Sequence, residues 1–342
     1  MGLVLFAPNV HTGGGLTLLH ALLRTPPRTG GLGLILDERA RHALVIPPGA
    51  RVCWTAHSPA GRWRAERLLA HWAGPGSTVL CFHNLPPLLA REARVVVLQQ
   101  NRLLLERTPL IGYPLASAMR LRLERLLAKW LRHKVSAYVV QTPSMASSVK
   151  RWWGGDGCPP VHILPFREPM RYTETAPTRA WDFVYVSEGE AHKNHLRLLQ
   201  AWVLLAQQGL RPSLALTLGP RHVSLAAHAK ALASEHGLVL HNTGPLTREQ
   251  VARLYRQSGA LIFPSTMESF GLPLLEATEA GIPVLAPELD YVRDVCDPVQ
   301  TFDPESAVSI ARAVQRHLGA PEPRAQVLTA EQFWDRLTAG AA

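Results

Sequence analysis

Two glutamates eight residues apart, Glu268 and Glu276, bracket the segment Ser269-Phe270-Gly271-Leu272-Pro273. An apolar run, Ala260-Leu261-Ile262-Phe263, leads into it. Pro273 suits the first turn of a helix and Gly281 suits its end. The N–H groups of Ser269 to Leu272 are therefore expected at a strand-to-helix turn, where the positive end of a helix attracts anions, phosphate above all. A carboxylate beside a bound phosphate is not what holds the phosphate; it accepts hydrogen bonds from hydroxyl groups. An anion cradle with a hydroxyl acceptor on each side describes a nucleotide-sugar pocket. The bland alternative is an ordinary strand–helix turn with solvated glutamates.

Four other groups of residues carry chemistry. Lys193 opens a helix in the run Tyr185-Val186-Ser187-Glu188-Gly189-Glu190-Ala191-His192-Lys193-Asn194. A cation at a helix start is unfavourable unless an anion is present. Gly13-Gly14-Gly15 follows the first strand and opens a helix, so backbone can approach a ligand closely and offer N–H donors. His83 lies just past the strand Val79–Phe82, at the sheet edge where open α/β folds bind ligands. Gln99, Asn101 and Arg102 end the next strand and are candidates to line an acceptor cleft.

With its strand and its Gly-Leu-Pro core, the Glu268–Glu276 segment resembles the signature of the retaining glycosyltransferases of family 4, which have the GT-B fold. The resemblance extends strongly over about 183–290 and loosely over 1–165. It implies that Glu268 contacts the donor sugar and Glu276 the ribose. Ser269, Phe270, Gly271 and Leu272 would cradle the diphosphate, with Gly13, Gly14 and Gly15 lying over it from the other side. His83 matches a family histidine close to the transferred sugar. Gly244-Pro245-Leu246 is similar to the loop whose backbone touches the base. Lys193 and Asn194 match the family segment Tyr-Val-Gly-Arg-x-x-x-x-Lys-Asn, whose Arg and Lys neutralise the donor diphosphate. Glu188 stands where that Arg would be, and a lost phosphate fork is not a conservative change. His192 or a basic residue from the first half is the expected substitute.

The elements that must position these residues alternate short apolar strands with amphipathic helices, which argues for parallel α/β layers. Strands are expected at Leu3–Ala7, Leu32–Leu36, Thr78–Phe82, Val95–Leu98, Ala137–Gln141, Phe183–Val186 and Ser213–Leu218. Helices are expected at Leu16–Arg24, Gly61–Trp72, Leu115–His133, Ser144–Trp153, Asn194–Gln207, His222–Glu235, Thr247–Gln257 and Glu305–Leu318. Prolines 159, 160, 165, 169 and 177 mark a boundary. The expected organisation is a Rossmann-like acceptor domain over 1–165, a linker over 166–181 and a Rossmann-like nucleotide-sugar domain over 182–320. A C-terminal helix over 321–342 would cross back to the first domain.

The chain has 342 residues, is 47% hydrophobic and 18% charged, and carries a formal net charge of +10. No apolar run is long enough to span a membrane. The four cysteines show no Cys-x-x-Cys spacing, which fits reduced thiols in the cytoplasm. Residues 1–170 hold 21 Lys and Arg against 8 Asp and Glu, a net of +13; the remainder is −3. Such asymmetry favours an anionic partner for the first half. Of the candidates, an anionic membrane surface at the inner membrane face or a lipid-linked phosphate is preferred to nucleic acid. On Leu115–His133, Met119, Leu123, Leu126, Leu127, Trp130 and Leu131 fall on one face, and Arg122, Arg125, Lys129 and Arg132 on another. Either a membrane-surface helix or a core-facing helix with a solvated basic side has this pattern.

Asp-x-Asp occurs nowhere and no His/Cys group has metal spacing. No cofactor or metal is expected. The implied reaction moves a hexose from a nucleotide diphosphate sugar to a glycan or lipid-linked glycan hydroxyl, with retention. A GT-B sugar-nucleotide epimerase and a non-catalytic nucleotide-sugar or glycan-binding subunit are the alternatives.

Overall fold

The computed structural model describes residues 2–27, 30–90, 92–106, 109–172, 178–320, 329–330 and 332–334. Nearly all of the expected 321–342 helix, and the middle of the 166–181 linker, lie outside the described residues.

Two wholly parallel sheets organise the chain. The first is built from β1 (Leu3–Ala7), β2 (Leu32–Asp37), β3 (Arg51–Thr55), β4 (Thr78–Cys81), β5 (Arg94–Leu98), β6 (Ala137–Val140) and β7 (Val161–Ile163), in the order β3-β2-β1-β4-β5-β6-β7. Its helices are α1 (Gly13–Arg24), α2 (Pro59–Trp72), α3 (Leu115–Leu131) and α4 (Pro143–Trp153). Apolar clusters cover both faces of this sheet, around Phe6, Ile35, Val79 and Val97 on one side and Leu5, Leu34, Leu36 and Phe82 on the other. Burial on both faces is why these strands read as continuous Val/Leu/Ile runs.

The second sheet takes β8 (Trp181–Tyr185), β9 (Leu214–Leu216), β10 (Leu240–Asn242), β11 (Ser258–Ile262), β12 (Val284–Pro287) and β13 (Gln300–Phe302), in the order β10-β9-β8-β11-β12-β13. Around it pack α5 (His195–Gln207), α6 (Val223–His236), α7 (Arg248–Arg256), α8 (Leu272–Glu279), α9 (Asp290–Arg293) and α10 (Ala307–His317). One continuous core fills this half, with Phe183, Tyr185, Trp202, Tyr255, Phe263 and Tyr291 fully buried. Trp202 meets the edge of Phe183 at 5.6 Å, and its indole N–H donates to the Pro212 carbonyl at 2.9 Å. Truncation of an aromatic so placed costs about 3–5 kcal/mol.

Both strand orders reverse direction once, between β1 and β4 in the first sheet and between β8 and β11 in the second. Loops leaving adjacent strands at such a switch point diverge and open a crevice at the carboxyl edge. The Gly13–Gly15 and His83 segments leave β1 and β4; the Lys193 and Glu268 segments leave β8 and β11. These four loops therefore sit at the switch points.

The structure departs from the sequence-based elements in three instructive places. Gly13 to Gly15 are the first turn of α1 and not a loop before it, with Gly13 at φ 63°. Strands β3, β7, β10, β12 and β13 were not among the expected ones; three of them are only three residues long, too short to display a period. The third concerns α3, whose apolar stripe faces outward: Met119, Leu123, Leu126 and Trp130 are exposed, while Ala118, Leu121, Ala128 and Leu131 pack inward. The expected basic face splits as well. Arg125 donates to the Leu103 carbonyl at 2.7 Å, and Arg132 donates to the Trp153 carbonyl at 2.9 Å while lying over the Trp153 ring. Only Arg122 and Lys129 of that quartet are solvent-facing.

Candidate active site

In the second domain, Lys193 and Glu268 meet at the β8/β11 switch point. The Lys193 ammonium donates to Glu268 Oε1 at 2.6 Å, with the two side chains 19% and 11% exposed. The backbone that carries them is tied together closely. The His192 carbonyl accepts from the Thr266 N–H at 2.8 Å and from the Ser265 and Thr266 hydroxyls. The Tyr185 hydroxyl donates to the Lys193 carbonyl, and the Tyr291 hydroxyl to the Ser265 carbonyl, both at 2.7 Å. Asn194 adopts φ 62°, a left-handed conformation that Asn tolerates better than most residues. Its amide donates to the Pro264 and Pro304 carbonyls, so one side chain locks three loop ends. Such bracing fixes an ion pair before any ligand arrives.

Past Glu268 the expected strand-to-helix turn is present. Gly271 caps α8 at φ 71°, and Pro273 lies in its first turn. The left-handed conformation is what favours glycine at 271, and a Cβ there would also press on Leu274 Cδ1 at 2.9 Å. Phe270 is buried, and the Ser269 carbonyl accepts from the Thr142 hydroxyl of the first domain at 3.2 Å. Glu276, on α8, is buried; its Oε2 accepts from the Tyr255 hydroxyl at 3.2 Å. Burial raises its pKa above the ordinary carboxyl value, and nearby Arg248 partly offsets that. Among the described residues Oε1 of Glu276 has no hydrogen-bond partner.

The base-loop candidates lie one strand over. Gly244 has φ 72°, and Pro245 packs beside Gly219; Leu246 rests against the core. Asn242 holds this loop to the end of β9 through the Leu218 N–H at 2.8 Å.

The first domain closes over this edge. A Cβ on Gly14 would stand 3.4 Å from the Leu272 side chain, so the start of α1 touches the start of α8. Gly15 lies beside Val10 and Gln100. His83 is buried, with Nδ1 3.2 Å from the Phe6 carbonyl and Nε2 without a partner. Burial keeps its pKa well below the usual histidine value, so the ring is neutral. Its Nδ1–H then faces the carbonyl and Nε2 remains as an acceptor.

The three expected acceptor residues have local duties. Gln99 is buried and donates to the Asn101 carbonyl; Asn101 Oδ1 accepts from the Leu103 N–H; Arg102 pairs with Glu106 at 2.6 Å. In their place the structure presents groups that sequence reasoning passed over. Among the described residues, His11 Nδ1 and Gln100 Nε2, like His83 Nε2, are buried atoms without a hydrogen-bond partner, although His11 Nδ1 lies 4.0 Å from Asp37 Oδ2. Buried polar atoms without partners are few in native proteins, and a ligand is one of the standard explanations. A cavity of about 240 Å³ opens at the same edge, lined by Pro8, Asn9, Thr55, His57, Ser58 and Arg62 among others.

Glu188 faces His222, with Oε2 3.6 Å from Nε2. Glu190 joins them, and the three ligand atoms lie within 4.8 Å of one another, a donor set that can hold a divalent ion. Sequence spacing did not reveal this group because His222 arrives from the loop after β9. Gly189 makes room for it, since a Cβ there would come within 2.5 Å of the His222 ring.

His192, the expected substitute cation, is held neutral by its surroundings. Burial, then the neighbouring Lys193 charge, lowers its pKa to about 4, and its Nδ1 meets the Tyr113 hydroxyl at 2.8 Å. His195, buried against Tyr185, is lowered to about 3 by the same first cause. These values set a pH dependence of stability. In an unfolded chain both histidines protonate near 6.5, whereas in the folded protein they stay neutral until about 4 and about 3. Stability is therefore complete above 6.5 and is lost as pH falls, by roughly 2 kcal/mol for each histidine at about pH 5. Thermal melts from pH 7 to 5 should show this decline, and His192→Asn or His195→Asn should flatten it. An equally steep decline in both variants would locate the acid sensitivity elsewhere.

Two parallel α/β domains whose switch points face one another define a GT-B architecture. Residues 166–331 match the family described as glycosyl transferases group 1. Over that stretch, just under half of its length, the chain is similar to the group 1 glycosyltransferases, and its two domains together have the GT-B fold. A stretch of 90 residues is 33% identical to the serotype-specific mannosyltransferase WbdA of Escherichia coli, covering 26% of this chain and 11% of that relative. The chain thus spans about a tenth of the length of the curated relatives it matches. Sucrose-phosphate synthase from Thermosynechococcus elongatus superposes with a TM-score of 0.68 at 15% identity, covering 94% of this chain and 90% of that one. HepE of Anabaena, solved with UDP and glucose, superposes at 0.67 and 14% identity, covering 93% and 90%.

Proposed function

We propose that the protein transfers a hexose from a nucleotide diphosphate sugar to a hydroxyl of a glycan or lipid-linked glycan, with retention and without a metal. The observation that carries this reading is the Lys193–Glu268 pair, 2.6 Å apart, just before the turn into α8, whose Leu272 side chain meets Gly14 at the start of α1. Glu276 takes the ribose hydroxyls and Glu268 a hydroxyl of the sugar. Lys193 and the N–H groups of residues 269–272 take the diphosphate. The C1–O bond to the diphosphate breaks, the acceptor oxygen bonds C1 from the same face, and its proton passes to the departing diphosphate oxygen. No dedicated base is needed. Stabilisation of the leaving group's charge is the protein's main contribution. Burial and then Arg39 depress the His11 pKa, and exposed Arg221 adds to them, so Arg221 lies near this edge as a candidate second cation. The protein works in the cytoplasm, peripheral to the inner membrane face.

Incubation with nucleotide sugars, with and without acceptor, tests the reading through release of nucleoside diphosphate. Release that depends on acceptor is expected. Release of sugar-epimerised nucleotide would support the epimerase alternative. Binding without turnover would support the non-catalytic one, for which Glu188 in place of the family arginine is the favouring observation.

Activity should persist in excess chelator, because Lys193 and backbone N–H groups meet the leaving-group charge. Loss in chelator with restoration by manganese would instead assign Glu188, Glu190 and His222 as metal ligands.

A further inference from the structure

Helix α3 presents an apolar stripe that none of the described residues covers. Leu115, Met119, Leu123, Leu126 and Trp130 are spaced by four, four, three and four residues, which aligns them along one face. Each is between 57% and 73% exposed, and Ile111, just before the helix, is 85% exposed. Ala118, Leu121, Ala128 and Leu131, on the opposite face, already supply the helix with its core. A soluble monomer gains nothing from a second apolar face directed at water, and contiguous patches of this kind mark interaction surfaces.

The flanks of the stripe are basic. Arg122, Lys129 and His133 line one side and Arg120 the other, all exposed. Arg122 and Lys129 form no hydrogen bond or ion pair with the described residues. The single acid on the helix, Glu124, lies toward the packed side and pairs loosely with Arg120 at 3.7 Å. An apolar stripe between rows of cations, with an exposed Trp, is the pattern of a helix that lies in a membrane interface. No helix here is long and apolar enough to cross a membrane.

We propose that the outward face of α3 seats the protein on an anionic lipid bilayer. Charge chooses between the bilayer and a second copy of the chain, since residues 1–170 carry a net +13 and two such halves would repel one another. The placement of the helix adds a consequence. Just before α3, Tyr113 meets His192 at 2.8 Å, and Gly112 lies against Ala191. The docked helix therefore starts beside the loop that carries Lys193, and a lipid-linked acceptor would reach the cleft along it. That consequence rests on the proposed reaction, whereas the docking surface does not.

Flotation of the full chain with phosphatidylcholine vesicles, with and without phosphatidylglycerol, tests the surface. Binding to the anionic vesicles is expected, weakening with salt as the charges are screened. Leu123→Glu with Leu126→Glu should reduce it to background. Arg120→Gln, Arg122→Gln and Lys129→Gln should each weaken it roughly five-fold at low salt. These side chains face water, so folding is preserved, and unchanged nucleoside diphosphate binding checks this. No binding to anionic vesicles, or binding indifferent to these changes, would overturn the proposal. So would a dimer, detected by sedimentation, that Leu123→Glu dissociates. Transfer to a soluble glycan, measured in the same variants, separates the two readings: it stays intact if only docking fails, and it is absent throughout if the reaction itself is misassigned.

Discussion

Replacing Lys193 with alanine should lower kcat by about 100-fold or more while changing donor affinity far less. Negative charge grows on the diphosphate as the sugar departs, so a cation beside it acts mainly in the transition state. Lys193 is held by Glu268 at 2.6 Å, and that pairing complicates a simple alanine scan. Removing the lysine also leaves a mostly buried carboxylate without its counter-ion, which is costly in itself. The double variant Lys193→Ala, Glu268→Gln separates the two effects. If Lys193 serves only to neutralise Glu268, the double variant should match Glu268→Gln alone. If it stabilises the leaving group, the double variant stays about 100-fold below Glu268→Gln alone. A change confined to KM would mean uniform binding and would exclude the leaving-group role.

Glu276→Ala should weaken nucleoside diphosphate binding by about 1.5–3 kcal/mol, the usual worth of hydrogen bonds to a charged acceptor. The carboxylate is already desolvated, with one oxygen on Tyr255 and the other available to a ribose. Glu276→Gln should cost less, because it keeps an acceptor oxygen and loses the charge. The raised pKa adds a pH signature. Ribose hydroxyls are expected to favour the ionised form, so affinity falls as pH drops through the Glu276 pKa, at a higher pH than an exposed glutamate would give. Calorimetry with the nucleoside diphosphate across pH checks both effects. Affinity that is unchanged in the alanine variant, or a pH profile identical in the glutamine variant, would remove Glu276 from the ribose.

Much of this was legible before any coordinates. The turn from β11 to α8 was readable because its signals are local. An apolar run, a proline suited to a first helical turn and a glycine needed at positive φ all act within a few residues. The long helices were equally clear, since a 3.6-residue period over three or more turns leaves few alternatives. The short strands β7, β10 and β13 were not, because three residues carry no period and form only when a neighbouring strand offers its hydrogen bonds.

The sequence alone could identify which residues carry charge, hydroxyl acceptors or backbone freedom, because those properties belong to residue types and to their near neighbours. It could not determine which of these residues meet. The pairing of Lys193 with Glu268 depends on β8 and β11 being adjacent in the sheet, although 75 residues separate the two side chains. The gathering of Glu188, Glu190 and His222 depends likewise on β8 lying beside β9. The neutrality of His192 and the engagement of Gln99 follow from burial, which is a property of the packed chain. The stripe on α3 shows the limit most directly. Its two possible orientations have the same helical pattern, and only the packing of Ala118, Leu121, Ala128 and Leu131 into the first domain decides which face meets water.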